Sequence, residues 1–249
     1  MGKKIEWCYG SKRYSLTVDL SESPYYQKCQ MERSLYFLPF YSTIDDPVMK
    51  EIADYIDGEL PDYADDAYAA NVVLAMVQQN IRYTSDQELY GVPDLWGLPA
   101  TVLANGKGDC DCMTDLYVSV AYNLDIDVVS VLVEGHMFPA AHVDWDGVHY
   151  DLDGRNYYHL EITADAPFAG MVGKDFRVEA WAPPAVPSEK FMKSLTDSSR
   201  PRFQTSGSLK REGPGPFRVR MENERFDQFL KLWTGAGILP PRLMKSAQL

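Results

Sequence analysis

Apolar and polar positions alternate in two short runs near the start of the chain: Ile5, Trp7, Tyr9, and then Tyr14, Leu16, Val18. Gly10-Ser11-Lys12 separates them, so residues 5–20 are predicted to form a β-hairpin. An aromatic, irregular stretch follows to about Tyr41. The period then lengthens. Asp46-Pro47 supplies an N-cap and a first-turn proline. Val48, Ile52 and Ile56 fall on one face of a helix that ends near Gly58. A longer helix is predicted over about 65–80, with Val72, Val73, Met76 and Val77 as its apolar stripe. Residues 82–109 keep neither period. Their Gly91, Pro93, Gly97, Pro99, Gly106 and Gly108 predict a long ordered loop, packed through Tyr90, Trp96 and Leu103. Loops of that length inside a compact domain are usually functional or disordered.

The helical period returns over about 110–123, where Met113, Leu116, Tyr117, Val120 and Leu124 follow the i, i+3, i+4, i+7 pattern. Strands are predicted over 128–133, 137–145, 148–152 and 156–162, with Asp146-Gly147 and Asp153-Gly154 as tight turns. A helix followed by an antiparallel meander defines an α+β fold. Residues 183–217 are rich in Pro, Ser and Gly and read as a linker. A last helix over about 223–233 presents Phe226, Phe229, Leu230 and Trp233 on one face. The organisation expected is a hairpin and aromatic segment (1–45), a main domain (46–182), a linker (183–217) and a C-terminal helix and tail (218–249).

Composition narrows the function classes. At 249 residues, 45% of them apolar and 12% aromatic, the chain can bury a full core. Its net charge of −12 is uneven. Residues 1–170 hold 10 basic and 28 acidic residues, a charge of −18, and residues 171–249 hold 14 and 8, a charge of +6. So acidic a body repels nucleic acid and anionic membranes. No apolar run approaches the roughly 18 residues that span a bilayer. No apolar stretch follows Lys3-Lys4, so no leader is read there, and a cytoplasmic location is expected. The four cysteines, Cys8, Cys29, Cys110 and Cys112, are too sparse for a disulfide scaffold and are expected reduced.

One cysteine has a context suited to chemistry. Gly106-Lys107-Gly108-Asp109 precedes the 110–123 helix, and Asp109 is a good N-cap. Cys110 then stands in the first turn, where free N–H groups and the positive dipole end favour a thiolate. Cys112 suggests a Cys-x-Cys metal pair, but two positions two apart on a helix diverge by about 200°. No second ligand pair follows at zinc spacing, so no metal is expected, and Cys112 reads as a core thiol beside Leu116. A thiol nucleophile needs a base, and the base an orienting group. The four histidines, His136, His142, His149 and His159, all fall in or beside the predicted meander. Spacing does not choose among them, although His149 and His159 read as mid-strand residues with structural or surface roles. Asp153, at a turn, and Glu161, inside an apolar run, are the candidate orienting acids. A buried Glu161 would require a cationic or hydrogen-bonding partner.

Taken together, these residues resemble the transglutaminase-like superfamily, papain-like folds with a Cys-His-Asp/Glu triad. The nearest likeness is to a microbial, often archaeal, branch. The segments that carry it are Val77-Gln78-Gln79-Asn80-Ile81-Arg82-Tyr83-Thr84-Ser85-Asp86, Pro99 to Leu103, and Lys107-Gly108-Asp109-Cys110-Asp111-Cys112. Gly135-His136-Met137 and Tyr157-Tyr158-His159-Leu160-Glu161-Ile162-Thr163 complete it. The resemblance covers about residues 5–170. It implies Cys110 as nucleophile, His136 as base and Glu161 as orienting acid, with His142 and Asp153 as second choice. Trp96, Asp109 and the Cys110 backbone N–H are the residues considered for the oxyanion or substrate. Three positions depart from the pattern: Cys112 replaces an acid, Leu98 an aromatic and Ile162 a threonine. The activity implied is cysteine-dependent acyl transfer on a protein or peptide substrate, without a cofactor. Hydrolysis is favoured over amine transfer, and a non-catalytic binding module on the same fold is the alternative.

Overall fold

The computed structural model describes residues 1–31, 35–163 and 176–199. The helix expected over 223–233 and the basic tail lie outside the described residues.

The chain opens with the hairpin of β1 (Gly2–Tyr9) and β2 (Lys12–Asp19), in register from Gly2 opposite Asp19 to Tyr9 opposite Lys12. Alternation turns Ile5, Trp7, Tyr14 and Val18 inward. The outer edge of β1 meets two amide side chains. Cys8 N donates to Gln79 Oε1 (2.9 Å) and Gln79 Nε2 donates back to Cys8 O (2.8 Å). Asn80 pairs in the same way with both backbone groups of Glu6. The amides replace a third strand and satisfy an edge that would otherwise stay open. The hairpin therefore shares its core with the helices of the main body.

After β3 (Lys28–Gln30) comes a 3-10 stretch, Leu35–Phe40, then α1 (Pro47–Glu59) and α2 (Asp66–Asn80). Asp46 and Asp65 cap these helices, accepting from Val48 N (2.9 Å) and Tyr68 N (2.8 Å). The segment expected to be one long loop is broken into short elements. These are β4 (Arg82–Tyr83), α3 (Asp86–Tyr90), β5 (Trp96–Gly97), α4 (Pro99–Asn105) and β6 (Lys107–Gly108). Pro99 at N1 and Gly106 at a left-handed φ of 62° start and stop α4, which is too short to display a period.

At the centre runs α5 (Cys110–Asn123), buried on every side from Asp111 to Ala121. One face packs on α1, α2 and α4 and another on the main sheet. That sheet contains β7 (Val128–Val133), β8 (His136–Ala141), β9 (His149–Leu152), β10 (Arg155–His159) and β11 (Val178–Ala182). All its pairings are antiparallel, in the order β11-β7-β8-β10-β9. The class is thus α+β, but the order is not that of a meander. β10 inserts between β8 and β9, leaving β9, which exposes alternate residues, at the edge. Of the two tight turns expected, Asp153-Gly154 forms between β9 and β10, with both residues left-handed (φ 59° and 75°), whereas Asp146-Gly147 lies in the longer segment 142–148 between β8 and β9, which do not pair.

Part of the expected linker is structured. Ser188 caps α6 (Glu189–Ser194), and β12 (Thr196–Asp197) pairs with β3. Phe191 of α6 is fully buried among Phe37, Phe40 and Tyr41. That aromatic pocket overrides the local Pro/Ser/Gly composition. No helix among the described residues is long and apolar enough to cross a membrane.

Candidate functional site

Two poles, at the start of α5 and the start of β8, hold the expected residues. Asp109 is the N-cap of α5, its Oδ1 accepting from Cys112 N at 3.3 Å. Cys110 is therefore the first helical residue, half-buried, as the capping pattern requires. It packs against a cluster that includes Met137, Trp96 and Leu98. Thr114 binds the first turn of α5 to β8: its Oγ1 lies 2.7 Å from Cys110 O and 3.3 Å from Met137 O. Tyr83 also faces this turn. Its hydroxyl pKa is raised by burial, and then by the charges of Cys110, Asp109 and Asp111.

Strand pleating separates neighbours on β8. Met137 joins the cluster that touches Cys110, whereas His136 lies with Phe138 on the outer face, ring centroids 5.9 Å apart. His136 is the first residue of the strand, directly after Gly135 at a left-handed φ of 70°. Its Nε2 is 3.4 Å from Glu161 Oε2. The structure thus brings His136 and Glu161 together. A nitrogen turned to a carboxylate is a donor, so Nδ1 is left as the base nitrogen of a neutral His136.

Glu161 follows β10 and is largely covered, its side chain 15% exposed. Burial alone would raise its pKa. Hydrogen bonds from His136, His159 and Thr163 overcome that and hold the carboxyl well below the usual range. Thr163 donates both its N–H (3.0 Å) and its hydroxyl (2.6 Å) to Oε1. The backbone of Glu161 is fixed as well, its carbonyl accepting from Gln78 Nε2 at 2.9 Å.

His159, read from the sequence as structural or surface, is fully buried and part of this group. Its Nε2 is also 3.4 Å from Glu161 Oε2. Its ring stacks on Phe138 with centroids 3.8 Å apart. Burial lowers its pKa, with Glu161 opposing, so the neutral ring is favoured. The available signal was the alternation along 157–161, which puts Tyr157, His159 and Glu161 on one face.

The second-choice pair is elsewhere. His142 directs Nδ1 to Asn156 O (2.8 Å), while Asp153 sits exposed in the β9–β10 turn. His149 lies on the edge strand, with Nδ1 3.1 Å from Gly147 O. Trp96, considered for the oxyanion, donates its indole N–H to buried Asp115 and stacks on Tyr41 at 3.8 Å. That N–H is thereby committed away from an oxyanion. Burial pushes Asp115 well above the usual carboxylate range.

Cys112 is the core thiol expected. It accepts from Gly97 N at 3.2 Å, and burial, then nearby acids, push its pKa well above the ordinary value. Its sulfur and a carboxylate oxygen from each of Asp86 and Asp109 come within 4.8 Å of one another. A neutral buried thiol and a carboxylate already capping α5 make a weak ligand set.

No family model matches the chain, and no curated protein sequence matches it.

Proposed function

We propose that the protein is a cysteine-dependent acyl-transfer enzyme on a transglutaminase-like fold, with Cys110 as nucleophile, His136 as base and Glu161 as orienting acid. The observation that carries this reading is the ionised Glu161 bound to His136 at the end of the strand that packs on the Cys110 helix. A carboxylate there fixes the imidazole tautomer and stabilises the imidazolium that forms on proton uptake. His136 Nδ1 takes the thiol proton as Cys110 Sγ attacks an amide carbonyl. The tetrahedral intermediate collapses to a thioester, and the leaving amine departs with the proton from His136. Water, activated by the same imidazole, then releases the acid. For this the His136 ring must reach the thiol past the end of β8.

Hydrolysis is preferred to amine transfer because water is the default acceptor. A thiol-directed amide or peptide probe, followed by peptide mapping, tests the reading. The adduct is expected on Cys110, and its loss in His136→Ala is expected with it. Product analysis with and without an added primary amine separates hydrolysis from transfer. Labelling spread over the other cysteines in proportion to exposure would support a non-catalytic module instead.

A further inference from the structure

The carboxylate of Glu161 serves two imidazoles. His136 Nε2 and His159 Nε2 lie equally far, 3.4 Å, from the same oxygen, Oε2. Charge-assisted N–H···O bonds are normally about 2.7–2.9 Å, so neither ring has this oxygen to itself. The other oxygen, Oε1, accepts two bonds from Thr163, which pins the carboxylate and leaves Oε2 as the shared acceptor.

Beyond Glu161 the arrangement continues inward. Tyr150 OH is 3.4 Å from His159 Nδ1. His159 Nε2 is buried and stands 3.4 Å from Oε2 without meeting it in full hydrogen-bond geometry; a proton drawn to Nε2 by the carboxylate would leave Nδ1 to accept from Tyr150. Phe138 stacks on the ring and fixes its plane. A metal does not explain the cluster: among the described residues these three ligand atoms are not a group within 4.8 Å of one another. Nor does a core filler, because an apolar ring at 159 would pack equally well on Phe138.

We propose that His159 is a positioning residue that divides Glu161 Oε2 with His136, and so limits how tightly the carboxylate holds a proton on His136. The titratable groups facing His136 are Glu161 and His159, with Tyr150 behind His159. Removing the His159 donor gives Oε2 to His136 alone, strengthens that bond and makes His136 more basic. This rests on the reading of His136 as base, but its readout does not pass through Cys110.

The test is a histidine-labelled NMR titration of the full chain, from pH 4.5 to 9. In the wild type, His159 is expected as the neutral Nε2–H tautomer; a bare Nε2 would overturn the proposal before any substitution is made. His159→Phe is expected to raise the His136 midpoint by about one pH unit. His159→Gln, which keeps an N–H in reach of Glu161, should restore it, and Glu161→Gln should lower it. Should His159→Phe fail to fold, Tyr150→Phe gives a smaller rise of the same sign. An unchanged or lowered midpoint in the folded variant would overturn the sharing. Iodoacetamide alkylation of Cys110 in the same samples separates the two claims. An NMR rise with an unmoved alkylation profile supports the sharing and overturns His136 as base.

Discussion

Asp115 and Glu161 are both carboxyl groups taken out of water, on opposite faces of the main sheet, and their pKa values are pushed in opposite directions. Asp115, a fully buried residue of α5, accepts from the Trp96 indole N–H and, at 3.5 Å, from the Ser130 hydroxyl, with the negative Asp111 nearby. Burial dominates and pushes its pKa well above the usual carboxylate range. Glu161 retains slight exposure and receives two imidazoles and two donors from Thr163. There the donors dominate and the acid stays ionised. Burial decides the charge of a carboxyl only when few donors answer it. Ionisation is favoured at the group that faces a candidate base, and disfavoured at the one that fixes an aromatic wall.

Four substitutions or pH series test this contrast. Glu161→Leu leaves His136 without its carboxylate, and Cys110 alkylation at pH 6.5 is expected to fall about 10²-fold, the lower end of general-base contributions. Stopped or timed labelling with peptide mapping reads it. Stability against pH is the next largest effect. A depressed Glu161 pKa favours folding above the ordinary value of 4.5, and that contribution is lost as pH falls below it. The lowered His159 pKa acts in the same direction, beginning below its ordinary 6.5. Urea midpoints should therefore drop from pH 7 to 4 in the wild type, and Glu161→Gln should flatten the lower part of that limb.

Asp115 carries the opposite sign. Its raised pKa makes its contribution greatest below 3.8 and smaller as pH rises. Asp115→Asn keeps an acceptor for Trp96 and removes the titration. Its stability relative to the wild type, read from urea midpoints, should rise between pH 4 and 8. The smallest effect is at His142, whose Nδ1 meets the Asn156 carbonyl, away from Glu161. His142→Ala should leave the alkylation rate of Cys110 unchanged.

What was legible in the sequence follows from how local each cause is. The α5 cap, Asp109 then Cys110, and the Asp153-Gly154 turn depend on a few adjacent residues, and the structure has both. Glu161 inside an apolar run signalled a need for partners, and it has them. α4 was hidden because seven residues show no period, although Pro99 and Gly106 mark its two ends. The insertion of β10 between β8 and β9 and the docking of Phe191 depend on pairings far apart in the chain, which no local pattern encodes. The contact of His159 with Glu161 is not legible, because a histidine in mid-strand looks alike whether it meets solvent or a buried carboxylate.

The central claim is that Cys110 is activated by His136 under the control of Glu161. Its most direct test is the pH profile of iodoacetamide alkylation, mapped cysteine by cysteine in the wild type and in His136→Ala. Cys110 is expected to react at pH 6–7, well ahead of the exposed Cys8, and to lose that advantage in His136→Ala. Cys110 and Cys8 reacting alike, with an ordinary thiol profile unchanged by the substitution, would contradict it.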